Sequence, residues 1–291
     1  SSMTTAGEVD FGNESMLDLP ELELAWFDRW LKGQDNGADR EAPLKIFVMG
    51  ANEWRSENEW PLARTEFTPF YLLSKGNANS ASGDGVLSFS RDETESSDHS
   101  YVSTDAFTYD PLFPVPTRGG GNCCDPHLVP WGAYDQREIE ARSDVLVYTT
   151  SPLKKDVEVT GPIKLILFAS TNCRDTDFTA KLVDVFPNGQ AINLTDGILR
   201  GRYREGTSEQ KLLEPGQVYE FIVDLWVTSN VFKSGHCIRL EVSSSNFPRF
   251  DRNPNTGNPF GQDSELMTAS QTIYHDAKRP SHLLLPVIPS I

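Results

Sequence analysis

The sequence is short of cysteine, short of positive charge and without any long apolar run. Four cysteines, two of them adjacent at Cys123 and Cys124, cannot form a disulfide framework in a chain of 291 residues. Adjacent cysteines can close a strained ring, but a disulfide normally wants its Cα atoms further apart, so free thiols are expected here. Lys and Arg number 26 against 42 Asp and Glu, a net charge of −16. That balance disfavours nucleic acid and anionic membrane surfaces as partners, because their phosphates need cations, and it reads as a solubility device. No apolar stretch approaches the ~20 residues that span a bilayer. The N-terminal SSMTTAGEVDFG has neither the basic nor the apolar region of a signal peptide, which favours a cytoplasmic chain. No internal repeat is present.

What remains is a turn-rich, aromatic-rich chain. Gly (21) and Pro (19) are frequent enough to favour many short strands over long helices. One helix is expected over 17–32. Asp18 can cap it, Pro20 suits its first turn, Glu21 completes a capping box, and Gly33 can supply the left-handed stop. Leu22, Trp26 and Trp30 form a stripe, with Phe27 and Leu31 beside it. This is more aromatic surface than one helix can bury, so it must dock on another body. Residues 34–43 read as a linker, 44–49 as a strand, 52–61 as a loop or wide turn, and 67–73 as a strand. Residues 74–104 read as a surface hairpin with long loops. From 107 to 137 prolines interrupt any regular element. Strands are then expected at 145–149, 157–160, 163–170, 178–185, 191–194, 218–225, 238–244 and 281–286. Phe186-Pro187-Asn188-Gly189 is the turn of a hairpin. Phe221, Val223, Leu225 and Val227 share one face of their strand. So many strands, with turns every ~10 residues, favour a two-sheet sandwich.

Four segments carry a family resemblance: NEWRSENEWP (52–61), TDFTAKLVDVFPNGQAINLTDGILRGRYREG (176–206), VTSNVFKSGHCIRLEVSSSNFPRFDRNPNTG (227–257) and RPSHLLLPVIP (279–289). In this order they cover nearly the whole chain. They resemble the C-terminal, non-catalytic domain of the cocaine esterase and Xaa-Pro dipeptidyl-peptidase (CocE/NonD) serine hydrolases. The resemblance implies a mainly β fold, a jelly-roll (galactose-binding-like) β-sandwich over 41–291. Residues 1–40 are then the C-terminal remnant of an α/β-hydrolase domain, a loop and helix followed by a linker. The family's catalytic histidine sits in a Gly-Pro-Trp-x-His string shortly before the segment that matches Ser1–Gly12. No triad residue can therefore be carried over, and the chain alone is expected to be inactive.

The residues agree with that expectation. No Gly-x-Ser-x-Gly elbow is present, and Ser243-Ser244-Ser245 lacks flanking glycines and reads as sheet. His99, His127, His236, His275 and His282 read as surface or hydrogen-bonded imidazoles. Asp175, Asp177 and Asp184 lack the spacing of a calcium loop and read as turn carboxylates. Asp196, Arg200, Arg202, Arg204 and Glu205 read as cross-strand ion pairs. No metal or cofactor is expected. In the family, the loop at Asn122, Cys123 and Cys124 reaches over the hydrolase domain and helps line the substrate pocket. The Cys pair stands where the cocaine-hydrolysing member has bulkier apolar residues, so substrate preference is not inherited. The expected partner is an α/β-hydrolase catalytic domain, in the same protein or as a separate chain, and a homodimer stays open. A free-standing carbohydrate- or ligand-binding module, with Trp54, Trp60 and Trp131 as its platform, is the alternative.

Overall fold

The computed structural model describes residues 3–90, 104–123, 125, 127–259 and 261–289. The chain runs β1 (Thr5–Ala6), β2 (Val9–Asp10), α1 (Leu19–Lys32), β3 (Leu44–Val48), β4 (Glu53–Glu57), β5 (Glu66–Leu73), β6 (Val86–Ser88) and β7 (Thr104–Tyr109). It continues through α2 (Arg137–Glu140), β8 (Leu146–Thr149), β9 (Val157–Thr171), β10 (Asp177–Val185), β11 (Ala191–Arg200), β12 (Tyr219–Phe232), β13 (Cys237–Ser243), β14 (Ala269–Tyr274) and β15 (His282–Ile288).

Strands β5 to β15 form one sheet in the order β11-β10-β13-β8-β6-β5-β15-β9-β14-β7, with β12 on β9. Every pairing in it is antiparallel except that of β6 with β8. The sheet folds over as a β-sandwich around Phe70, Leu146, Leu165, Phe178, Phe221 and Leu240, all fully buried. Each such side chain stabilises the fold by roughly 1.5–3 kcal/mol. Alternation along the strands explains the burial: Ile238, Leu240 and Val242 point inward from β13, and Leu165, Leu167 and Ala169 from β9.

Helix α1 forms as its ends dictate. Asp18 caps it by accepting the Glu21 amide at 3.1 Å, and Gly33 closes it at φ 69°. The Pro187-Asn188-Gly189 turn joins β10 to β11, with Gly189 at φ 85°.

Several expectations from the sequence need correction. Residues 53–57 are a strand and not a loop. Charge hid it: Arg55 and Glu57 lie on β4 but are tied in ion pairs with each other and with Glu158 and Arg64. Residues 107–109 lie in β7, and residues 137–140 form α2. Strand β14 has too polar a sequence, ASQTIY, to announce itself. The two strands expected at 157–160 and 163–170 are one, and it runs straight through Gly161-Pro162. Gly161 sits at φ 146°, and a Cβ there would lie 2.7 Å from the Pro286 Cβ, so only glycine allows β15 to cross. Val227 is exposed: a bulge at Trp226, φ 64°, shifts the register after Asp224 and turns the following residue out.

Candidate functional site

The loop between Thr117 and Trp131 is pinned at its neck. Gly120 and Gly132 exchange backbone hydrogen bonds of 2.7 and 2.9 Å, and the Thr117 amide donates to the Phe247 carbonyl at 2.6 Å. Inside the neck, Asn122 Nδ2 donates to the carbonyls of Gly119 (2.9 Å) and Pro130 (3.0 Å). Asn122 is thus a brace, and its buried Oδ1 has no hydrogen-bond partner among the described residues. Cys123 lies exposed beyond the brace and is disulfide-bonded, which corrects the free-thiol expectation. Cys124 lies outside the described residues. Leu128, farther along, is 75% exposed. The loop therefore has a braced base and carries an exposed Leu128 beyond it.

The N-terminal segment is stitched to that base. The Glu8 amide donates to the Ala133 carbonyl at 2.7 Å and the Ala133 amide to the Ala6 carbonyl at 3.2 Å. Arg118 reaches Glu138 at 2.8 Å and Glu8 at 3.5 Å. Two segments more than a hundred residues apart in sequence thus meet at one spot.

Helix α1 buries none of its residues. Trp26 and Trp30 pack on each other at 5.6 Å, and both remain more than half exposed. Contiguous apolar surface of this kind marks an interaction face.

The polar clusters are largely paired, and those at Asp175, Asp177 and Asp196 are buried. Asp175 accepts from the Arg202 amide and Nε, and Asp177 accepts from Arg200 Nε at 2.9 Å. Asn253 Nδ2 bridges both carboxylates. Asp196 pairs with Arg249, and Glu205 with Lys211 and Arg204. Asp175 and Asp177, read from the sequence as turn carboxylates, are both engaged by arginines, and Asp177 opens β10. His282 bonds the Pro280 carbonyl at 2.7 Å, and His99 lies outside the described residues.

One buried trio looks like a triad. Ser74 Oγ lies 3.4 Å from His275 Nε2, and Asp105 Oδ2 lies 3.0 Å from the same nitrogen. A relay needs the acid on one ring nitrogen and the nucleophile on the other. Here both crowd Nε2, and Tyr148 donates to Asp105 at 2.8 Å. Burial raises the Asp105 carboxyl, but the bonds from His275, Ser74 and Tyr148 outweigh it and hold it below the usual range. The trio is a core staple.

The tryptophans do not share an exposed face. Trp54 is half-buried against Phe47 at 5.3 Å, beneath Lys45, while Trp60 is partly exposed and Trp131 half-buried.

Sequence reasoning missed a pair that the fold creates: His236 Nδ1 and Asp184 Oδ1 meet at 2.8 Å, both buried. They lie on β10 and in the turn before β13. Only the antiparallel register of those two strands brings them together.

The sandwich thus carries a braced loop and an apolar helix that stays exposed among the described residues. The chain belongs to the X-Pro dipeptidyl-peptidase C-terminal non-catalytic domain family, matched over residues 36–284, and so to the C-terminal domains of the CocE/NonD hydrolases. It is 47% identical over 269 residues to the cocaine esterase of Rhodococcus sp. (strain MB1 Bresler), covering 92% of this chain and 45% of that protein. It superposes on an aminopeptidase from a marine sediment Thaumarchaeota archaeon with a TM-score of 0.79 at 28% identity, over 98% of this chain and 47% of that one. An alpha-amino acid ester hydrolase gives a TM-score of 0.73 at 29% identity, over 90% and 44%. The chain thus spans about half the length of these relatives.

Proposed function

We propose that the chain is the accessory domain of an α/β serine hydrolase that cleaves acyl esters or peptide bonds. In this reading the sandwich is a jelly roll. It packs on the catalytic domain through α1 and lends the loop at Asn122, Cys123 and Cys124 to the substrate pocket. The observation that carries this reading is the stitching of residues 6–8 to Ala133. By resemblance, the family's catalytic histidine shortly precedes that segment. The same backbone bonds therefore hold the loop base close to where the hydrolase chain arrives. The exposed stripe of α1 supports the same partner. Residues 1–40 are the part of the chain that belongs with the hydrolase domain, and 41–291 the accessory body.

Alone, the chain carries out no covalent catalysis, since the elbow serine and its base belong to the partner. The test is hydrolysis of p-nitrophenyl acetate and butyrate by the chain alone and with the hydrolase half co-expressed. The chain alone should match buffer, and the pair should turn over. Asn122→Ala and Cys123→Ser in the pair should change the acetate-to-butyrate ratio of kcat/KM several-fold. Turnover by the chain alone, abolished by a serine-directed phosphonate, would sink the proposal. An unchanged ratio would remove the loop from the pocket.

A further inference from the structure

Behind the neck of the loop lies a cavity of about 560 Å³, lined by Gly120 and Gly121 on one side and by the Asp184–His236 pair on the other. Its size falls within the range of small-molecule sites. Its walls are mainly apolar, with Phe11, Phe186, Ile192 and Val231. Phe186 packs on the His236 ring at 4.4 Å.

The polar groups are few and converge. His236 gives Nδ1 to Asp184 at 2.8 Å, and its Nε2 has no protein partner among the described residues. Asn230 is 3% exposed. Its backbone is fixed by the bridge to Met49; its side-chain amide faces the Asp184 carboxylate and helps hold its charge, but among the described residues its Nδ2 has no acceptor within normal hydrogen-bond geometry. A buried amide donor without an acceptor is costly, and a ligand that supplies one recovers that cost. Anions are disfavoured. Asp10 and Asp184 both line the cavity, and Lys233 is paired with Asp156 at 3.1 Å.

We propose that this cavity binds an uncharged, mainly apolar molecule bearing a hydroxyl group, an aryl alcohol being the simplest case. The hydroxyl oxygen accepts from Asn230 Nδ2. Its proton goes to His236 Nε2, which Asp184 presents as an acceptor by holding the Nδ1 proton. The ring lies among Phe11, Phe186 and Ile192. The site is distinct from the loop tip, and every residue named for it lies in this chain.

The probes are 2-naphthol, its methyl ether and 2-naphthoate, titrated into the 291-residue chain by calorimetry, with the His236 ring nitrogens followed by NMR. The naphthol should bind 1:1, at least tenfold tighter than the ether or the carboxylate, and should shift the Nε2 resonance. Asn230→Ala should weaken the naphthol about tenfold and the ether, whose oxygen can still accept, by no more than that. Phe186→Ala, in an exposed turn, should weaken both. Equal binding of naphthol and ether would reduce the cavity to an apolar hole and overturn the proposal. Tightest binding by the carboxylate, or no saturation by any probe, would do the same. The ligand series on the unaltered chain decides the matter even if Asn230→Ala fails to fold.

Discussion

Helix α1 and strand β10 divide apolar and polar surface the opposite way from a simple reading of hydrophobicity. In α1, the leucines, tryptophans and phenylalanine from Leu19 to Leu31 are 40–77% exposed. In β10 every residue is buried, including Asp177, Thr179, Lys181 and Asp184. The sheet explains β10. Flanked by β11 and β13, it has Arg200 opposite Asp177 and Glu241 opposite Lys181 in register. A charge goes inside where strand pairing delivers its partner. An apolar face stays outside when the surface it fits is not among its neighbours. Burial is therefore a property of the assembled layers as much as of the residue.

The strongest way to break the polar side of this contrast is Arg202→Ala, which strands the fully buried Asp175. Loss of one partner of a buried pair costs about 3–5 kcal/mol, so the urea midpoint and Tm should fall steeply. A loss under ~1 kcal/mol would mean that Asn253 and the backbone amide of residue 202 together satisfy Asp175.

A subtler break uses pH. Glu140, at the end of α2, is fully buried and pairs with Arg239 at 2.5 Å, while Lys181 pairs with Glu241 at 3.4 Å. Burial, and then the Glu241 carboxylate, push Glu140 up from 4.5 to about 7. A carboxyl raised in the folded state holds its proton there while the unfolded chain has already released it. Its contribution is present in full below about pH 4.5 and is lost as pH rises toward about 7. The stability of the chain should thus carry a downward component of up to ~1.4 kcal/mol per pH unit in that window. Glu140→Gln should remove this component, as denaturant titrations at several pH values would show. Parallel curves for both proteins would refute it.

The smallest expected effect sharpens the apolar side. Trp26→Ser with Trp30→Ser should change the stability of the chain alone by less than ~0.5 kcal/mol, because neither ring is buried in it. The same pair should weaken association with the co-expressed hydrolase half at least tenfold, read by pull-down or sedimentation. A large loss of stability in the chain alone would show that α1 does dock within it.

The same contrast accounts for what the sequence disclosed. Helix α1 was legible from Asp18, Glu21 and Gly33 because capping is local chemistry. Strands such as β13 were legible because alternation of Ile238, Leu240 and Val242 is local too. Strand β4 was not, since the partners that neutralise Arg55 lie partly at Glu158, a hundred residues on. The Asp184–His236 pair and the unpartnered Asn230 amide were hidden for the same reason: each depends on a register between distant strands. The loop at Asn122 was found only through family resemblance. Its brace to Gly119 and Pro130 leaves no periodic trace.

Strand β15 sits between β5 and β9, in the middle of the sheet. It also follows every other strand of that sheet along the chain, so it is synthesised after them. Until it emerges, β5 and β9 each present an unpaired edge, and the halves of the sandwich cannot close on one another. Synthesis thus delivers the keystone after every strand that it joins. A message that stops short of His282 would leave the sheet open, fit for aggregation or proteolysis.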